Sequence, residues 1–328
     1  MNLQLGRATS IVLQTTPYLV YRAIIYGALC MAGLVYVAIL AGLGAIFGSG
    51  AFVVLLVISL AGAGFFGLGR FLGEYVLYLL RAGHVALITE IVTEGKLPEG
   101  VSQTVWAKER VMQYFKETSV LALVDQLVKG IIRAVNRTLF NVMTILPIPG
   151  TEGAAKLAQR VVDFSLTYID ESVLAYTFKT KNDNVFDAAK TAIILYCQSW
   201  KGILKNAVAL ALLSYAFVVV AVIIFLIPLG AIAWALPASW GTVKFVLFIV
   251  ALFLGLSLKW VLFDPIACTS TILTFLHESE GQAADPEWEA KLDKVSDKFR
   301  ELKDKAAEKL AGAAAKGAEP AVEEPEAG

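Results

Sequence analysis

Ionisable side chains inside apolar segments are the residues of this chain most able to do chemistry. The stretch "GRFLGEYVLYLLRAGHVALITEIVTEG" (69–95) is mostly apolar, yet it carries Arg70, Glu74, Arg81 and His84. A second stretch, "LKWVLFDPIACTSTILTFLHESEG" (258–281), carries Asp264. Charged groups in apolar surroundings usually pair with one another or border a water-filled pathway. We therefore expect these two stretches to line a site.

If a small organic cation were bound at such a site, aromatic faces or a carboxylate would have to replace the water that it loses. Glu74 and Asp264 are the expected carboxylates, and nearby tyrosine and tryptophan residues are the expected walls. The candidates for the substrate pathway are Glu74, Asp264, Arg70, Arg81, Tyr26, Tyr215 and Trp260. A purely structural alternative is a salt bridge between Arg70 and Glu74, which are four residues apart and could hold a bend in the helix.

Other chemistries lack their motifs. The sequence contains no Walker loop, HExxH, GxSxG or CxxC, so we expect no enzymatic activity, no catalytic residue, no cofactor and no metal site. His84 and His277 are far apart and are expected to be satisfied structural side chains. The three cysteines are scattered and read as small buried hydrophobes. The formal net charge is zero, so nucleic acid is not an expected partner.

The composition predicts an all-α integral membrane protein. Hydrophobic residues make up 57% of the chain and charged residues 17%, whereas soluble domains have roughly 25% charged residues. A membrane-spanning helix needs about 20 apolar residues. Four nearly uncharged runs come close to or exceed that length: 23–47, 51–69, 207–234 and 243–258.

These runs form two predicted helical hairpins. The connections at 48–50 and 235–242 carry no charge, whereas Arg and Lys flank the other ends of the runs. By the positive-inside rule, both short connections face outward. The N-terminus, the long middle and the C-terminus are then expected on the cytoplasmic side of a cell or inner membrane.

The two hairpins resemble copies of one unit in the same orientation. Each is followed by a base, an acid, an apolar run and a Glu-Gly pair, which predicts a parallel repeat of 17–95 and 199–281. Amphipathic or re-entrant helices in the central region, 96–198, would join the copies. Asp264 and Pro265 read as a helix cap followed by a first helical residue, so we expect a break near Phe263 and a new helix to about Glu278.

The central region leaves two alternatives open, because 119–146 could span the membrane or lie on it. Further helices are predicted over 154–178 and 185–198, the latter capped by Asn184.

The chain end is expected outside the membrane domain (1–283). Asp285 and Pro286 predict the start of a cytoplasmic helix over 284–310. Its apolar seam consists of Trp288, Leu292, Val295, Phe299, Leu302 and Ala306. This seam suits a coiled coil, through which a second copy or a partner protein would bind, or docking on the protein's own surface. Residues 311–328 read as a disordered acidic tail of Ala, Gly, Glu and Pro.

Several segments in order resemble the C-terminal half of the choline transporter-like family over about 70–281. They include "AGHVALITEIVTEGKLP", "VWAKERVMQYFKETSVLALVDQLVKGIIRAV", "VVDFSLTYIDESVLAYTFKTKNDNVFDAAKTAIILY" and "LFLGLSLKWVLFDPIACTSTILTFLHESEG". The resemblance is one of pattern. This chain is shorter than family members and lacks their large cysteine-containing outer loop. The resemblance implies that 119–146 spans the membrane, and it transfers no substrate-binding residue.

The sequence thus leads to two expectations for function. The first is a carrier in the lipid bilayer for a small amine-containing solute such as choline or ethanolamine. The second is a membrane scaffold without transport activity, whose amphipathic helices bind partner proteins or lipid.

Overall fold

The computed structural model describes residues 3–47, 76–115, 118–138 and 168–317, together with Ser59. The described residues form helices and connecting turns, which confirms the predicted all-α class. The predicted span 51–69 lies outside the described residues apart from Ser59, and Arg70 and Glu74 lie outside them as well. The repeat of 17–95 and 199–281 therefore stays a prediction.

The helices follow one another along the chain with short connections. Their bounds are α1 Leu5–Gln14, α2 Thr16–Phe47, α3 Leu77–Glu94, α4 Gln103–Phe115, α5 Thr118–Thr138, α6 Ile169–Thr180, α7 Val185–Ala235, α8 Gly241–Leu258, α9 Asp264–Glu278, α10 Pro286–Val295 and α11 Asp297–Gly317. A five-residue π-helical segment, Lys259–Phe263, joins α8 to α9.

The longest helix, α7, contains both the helix predicted over 185–198 and the span predicted over 207–234. Asn184 accepts a hydrogen bond from the Asp187 backbone N–H at 3.3 Å, so the predicted cap is present. The helix does not end at 198, however, but runs on through the predicted span 207–234 for 51 residues, or about 76 Å. Nothing breaks the backbone between these parts, because Lys201 and Lys205 interrupt the hydropathy and not the helix.

The two halves of α7 differ in exposure. Most side chains that face neighbouring helices up to Ala211 are buried, whereas large apolar side chains beyond it are open, with Ile227 68% exposed. α8 packs along this second half and is also largely exposed. Among the described residues, two helical stretches are long and apolar enough to cross a membrane: Val185–Ala235 and Val243–Glu278.

The predicted helix break near Phe263, with Asp264 as the cap of a new helix, is wrong. Asp264 has helical backbone angles (φ −59°, ψ −42°) and caps nothing, so α8 continues into α9 through the π-helical segment. A cap residue needs non-helical angles, and the wider π turn removes the need for one. α9 ends at Glu278 as predicted, and nearly all of its side chains are buried.

Helix α3, from the first ionisable stretch, lies inside the protein. Eleven of its 18 residues are buried, and it packs against α1, α4, α6 and α9. Gly95 ends it in the left-handed region (φ +80°), where glycine is favoured. The apolar side chains of α3 are therefore covered by other helices of the same chain.

The chain end also packs on the protein's own surface. Asp285 caps α10 as predicted, with its carboxylate 2.8 Å from the Glu287 N–H. A break at Ser296 separates α10 from α11, so the predicted helix over 284–310 is two helices. Leu292, Phe299, Leu302 and Ala306 are buried, and α11 contacts α5 and α7.

The boundary predicted at residue 310 needs a correction. α11 continues to Gly317, because the alanine-rich sequence after Ala306 has high helix propensity. The rest of the predicted tail lies outside the described residues.

Candidate functional site

A cavity of about 430 Å³ lies where α2, α3, α6, the π-helical segment and α9 meet. Its lining combines aromatic rings, three basic side chains and two carboxylates. The lining residues include Arg22, Tyr26, Arg81, His84, Tyr168, Glu171, Phe253, Lys259, Trp260, Asp264 and Cys268. The volume is in the range of small-molecule sites.

An aromatic wall forms one side of the cavity. The rings of Tyr26 and Trp260 stack with centroids 5.8 Å apart and an interplanar angle of 27°. Phe253 meets Trp260 edge-on at 6.1 Å and 82°. The Arg22 guanidinium lies 5.9 Å from the centroid of the Tyr26 ring. These contacts hold the rings in place and leave the wall with one basic neighbour.

Asp264 lies one helical turn after Trp260, so the two side chains share a face. Its Oδ1 accepts a hydrogen bond from the Tyr168 hydroxyl at 2.8 Å and pairs with Lys259 Nζ at 2.7 Å. The side chain is 20% exposed. Asp264 is itself one of the residues that line the cavity, so its carboxylate can meet a ligand there.

Arg22 and His84 form a buried pair whose protonation follows from its contacts. Thr15 Oγ1 donates its only proton to the Val12 carbonyl at 2.7 Å, so it accepts from His84 Nε2 at 2.8 Å. His84 Nδ1 then accepts from Arg22 Nη1 at 3.1 Å. This bonding defines a neutral imidazole. Burial lowers the pKa of His84 well below its usual range, and the Arg22 charge lowers it further.

The π-helical segment supplies the second acceptor for Arg22. The Asp264 N–H bonds to the Lys259 carbonyl, a five-residue step. In this register the Trp260 carbonyl would accept from residue 265, but Pro265 has no N–H. Arg22 Nη2 donates to this carbonyl instead, at 2.9 Å. Because Pro265 leaves this carbonyl without a backbone donor, the segment is hydrogen-bonded to α2 through Arg22.

Behind the cavity lies a buried charge network. Arg81 pairs with Glu171 at 3.3 Å, and Lys129 pairs with Asp125 at 2.8 Å and Asp170 at 3.2 Å. Burial raises the pKa of Glu171 well above its usual range, and Asp170 raises it further. Burial likewise raises the pKa of Asp125 to about 6. Three carboxylates share two cations here, which favours one bound proton.

The structure brings together four of the candidates predicted from the sequence, namely Tyr26, Arg81, Trp260 and Asp264. Tyr215 does not join them, because it lies on the outer side of α7 and is 49% exposed. Arg70 and Glu74 lie outside the described residues.

Sequence reasoning missed four residues of the site: Arg22, Tyr168, Glu171 and Lys259. Arg22 and Lys259 read as charges that flank spans, and Asp170 with Glu171 read as part of an amphipathic helix. The one available signal was the pair of adjacent acids in "LTYIDESVLAY", where no basic residue follows for several positions. Among the described residues, no group of three or more His, Cys, Asp or Glu side chains is arranged to hold a metal ion.

Comparison with known proteins finds no matching family model, no matching curated protein and no matching solved structure. The resemblance to the choline transporter-like family therefore stays a prediction. The span that it implies over 119–146 is not one of the two apolar stretches, since α5 carries Asp125, Lys129 and Arg133 and packs on α11.

Proposed function

We propose that this protein is a membrane-embedded carrier that binds a small amine-containing solute in the cavity. The observation that carries the proposal is the placement of the Asp264 carboxylate, which lines the same cavity as the stacked rings of Tyr26 and Trp260. A carboxylate and aromatic faces together replace the water that an ammonium group loses on binding.

The exposed apolar surface supports a place in the membrane. Soluble monomers rarely expose large contiguous apolar patches. The 18-residue apolar windows in the two long helical stretches are only 22% and 11% buried, so these are not core helices of a soluble body. Trp234 and Trp240 stand at the turn between α7 and α8, 88% and 51% exposed, as in an interfacial aromatic belt.

The position of the cavity supports transport over simple binding. It lies where the apolar hairpin of α7 and α8 meets the buried, charged base of the protein. The π-helical segment at this junction lacks a regular backbone hydrogen bond at the Trp260 carbonyl. Such segments are places where a helix can bend, and a carrier must open its site alternately to two sides.

The scaffold alternative has less support. It would bind partners or lipid through the amphipathic middle of the chain and the apolar seam of the C-terminal helices, and most of that seam is buried against α5 and α7 of the same chain. The outward faces of α10 and α11 are charged and exposed.

Uptake into proteoliposomes tests the proposal. Purified protein would be reconstituted and offered radiolabelled ethanolamine, choline, phosphoethanolamine and phosphocholine, with empty liposomes as the blank. We expect saturable uptake of at least one of the four. Asp264→Asn should lower its initial rate about tenfold or more, because an ammonium–carboxylate bond becomes a neutral one.

The matched control is Asp304→Asn, which makes the same change at an exposed position of α11. It should leave uptake unaltered, and both variants should insert in equal amounts. Absence of uptake of all four solutes by folded, inserted protein would rule out the proposal, as would full uptake by Asp264→Asn.

A further inference from the structure

Among the residues that the structure describes, the charges that border the cavity do not balance. Three side chains carry positive charge, namely Arg22, Arg81 and Lys259, whereas Glu171 and Asp264 are the only carboxylates among the described lining residues. Arg81 is matched by Glu171 and Lys259 by Asp264. The guanidinium of Arg22 is not matched by a carboxylate of these described residues.

Arg22 has no carboxylate partner among the described residues. The side chain is 4% exposed, and its neighbours are the neutral His84 ring and the Trp260 carbonyl. Its Nε has no hydrogen-bond partner among the described residues. A buried cation without a counter-charge is costly, and a guanidinium can bind two oxygens of one carboxylate or phosphate through two parallel hydrogen bonds.

The hydrogen bonds of Arg22 hold it at the cavity instead of letting it turn to water. His84 is held by Thr15, which lies between α1 and α2, and the Trp260 carbonyl is available because Pro265 has no N–H to donate to it. Among the described residues, the acceptors that anchor the guanidinium are therefore neutral. Neutral acceptors orient the group and leave its charge uncompensated, which is the electrostatic arrangement of an anion site.

We propose that the solute is a zwitterion, whose acidic group, a phosphate or a carboxylate, binds beside Arg22 while its amine binds at Asp264. This inference rests on the proposed function and narrows its substrate class. An amine without an acidic group would leave the Arg22 charge unmatched. Phosphoethanolamine and the headgroup of phosphatidylethanolamine share the required chemistry, and the experiment separates them.

Equilibrium binding to the purified full-length protein in detergent tests the inference. The tracer is radiolabelled phosphoethanolamine, and the competitors are ethanolamine, β-alanine, inorganic phosphate and dihexanoyl phosphatidylethanolamine. We expect phosphoethanolamine or β-alanine to bind about tenfold or more tightly than ethanolamine, because a charge-assisted hydrogen bond contributes that much. Stronger competition by the short-chain lipid than by phosphoethanolamine would identify the lipid headgroup as the source.

Two variants give opposite patterns. Arg22→Gln should weaken zwitterion binding about tenfold more than it weakens ethanolamine binding, so the ratio of the two affinities falls to about one. Asp264→Asn should weaken both and keep the ratio. A merely structural role for Arg22 would lower both affinities together. If Arg22→Gln does not fold, the wild-type ratio decides.

The outcomes distinguish the two proposals. A wild-type ratio near one, or an unchanged ratio in folded Arg22→Gln, overturns the zwitterion inference and leaves the amine site in place. Inorganic phosphate binding as well as phosphoethanolamine overturns it too, because the amine then contributes nothing. Binding of none of the probes, together with absence of uptake, removes the proposed function itself.

Discussion

The two halves of α7 lie in contrasting surroundings although they belong to one unbroken helix. The first half mixes charged side chains with apolar ones, and its apolar face is covered by α6, α9 and α11. The second half is almost purely apolar, and beyond its contact with α8 it is open. In a single aqueous solvent this distribution would be inverted, since apolar side chains favour the interior.

This difference shows that the most hydrophobic helices of the protein are not the most buried ones. Its charges are covered by protein at the base, as in the network of Asp125, Lys129 and Asp170. Its most apolar helices instead present their side chains outward. The cavity lies where these two regions join, so it has ion pairs on one side and the Tyr26–Trp260 wall on the other.

The strongest test of this contrast places charge on the open half of α7. The double variant Ile224→Asp/Ile227→Asp should lose membrane association, because each Asp costs about 3 kcal/mol near the centre of a spanning helix. Alkaline carbonate extraction of membranes would measure this loss. Leu310→Asp is the matched control, since Leu310 is equally open on α11. A double variant that stays in the membrane pellet would contradict the placement of this half in lipid.

A second test addresses the packed side of the same hairpin. A Cβ at Gly255 on α8 would lie 2.6 Å from Val222 Cγ2 and 2.8 Å from Val222 Cα on α7. Gly255→Ala should therefore push the two helices apart and cost about 1–3 kcal/mol. Thermal unfolding in detergent should show a lower Tm.

Gly230→Ala is the comparison for Gly255, because nothing lies within 4 Å of a Cβ at that position of α7. Its Tm should stay the same or rise slightly. Equal Tm values for the two alanine variants would mean that the close approach of α7 and α8 does not contribute to stability.

The smallest expected effect is on the pH dependence of stability, which arises from the buried charge network around Asp125. Burial, reinforced by Asp170, raises the pKa of Asp125 to about 6, whereas an unfolded Asp has a pKa of about 4. The folded state therefore holds this proton more tightly, and its stability should fall as pH rises from about 4 to about 6. Asp125→Asn should remove up to about 2 kcal/mol of that fall.

Urea unfolding at a series of pH values would measure the slope. Asp304→Asn, an exposed change in α11, should leave the slope as in the wild type. A steeper fall in Asp125→Asn, or an identical profile in both variants, would contradict the assignment of the proton to the Asp125 network.

Local signals allowed much of this fold to be predicted. Asn184 and Asp285 cap the helices that follow them, as predicted, and α9 ends at Glu278, as predicted. Each of these features depends on residues close in sequence. Tyr26, Trp260 and Asp264 were also found from their residue types alone.

The rest depended on contacts between distant residues. Arg22 read as a flanking charge because its acceptor, the Trp260 carbonyl, becomes available only through the π register and Pro265. Glu171 can be recognised as part of the site only from its contact with Arg81, 90 positions earlier in the sequence. No periodicity or motif encodes such pairings, and hydropathy alone cannot separate a charge at a helix end from one that borders a cavity.

The bond between Arg22 and Trp260 also has a consequence for biosynthesis. The two residues are 238 positions apart, and ribosomes add about 5–20 residues per second, so the acceptor is made roughly ten to fifty seconds after the donor. During that interval the guanidinium of the nascent chain must be solvated by water or lipid phosphates. Helix α2, which carries the donor, is therefore made well before the π-helical segment that carries the acceptor, and the cavity is among the final parts of the protein to assemble.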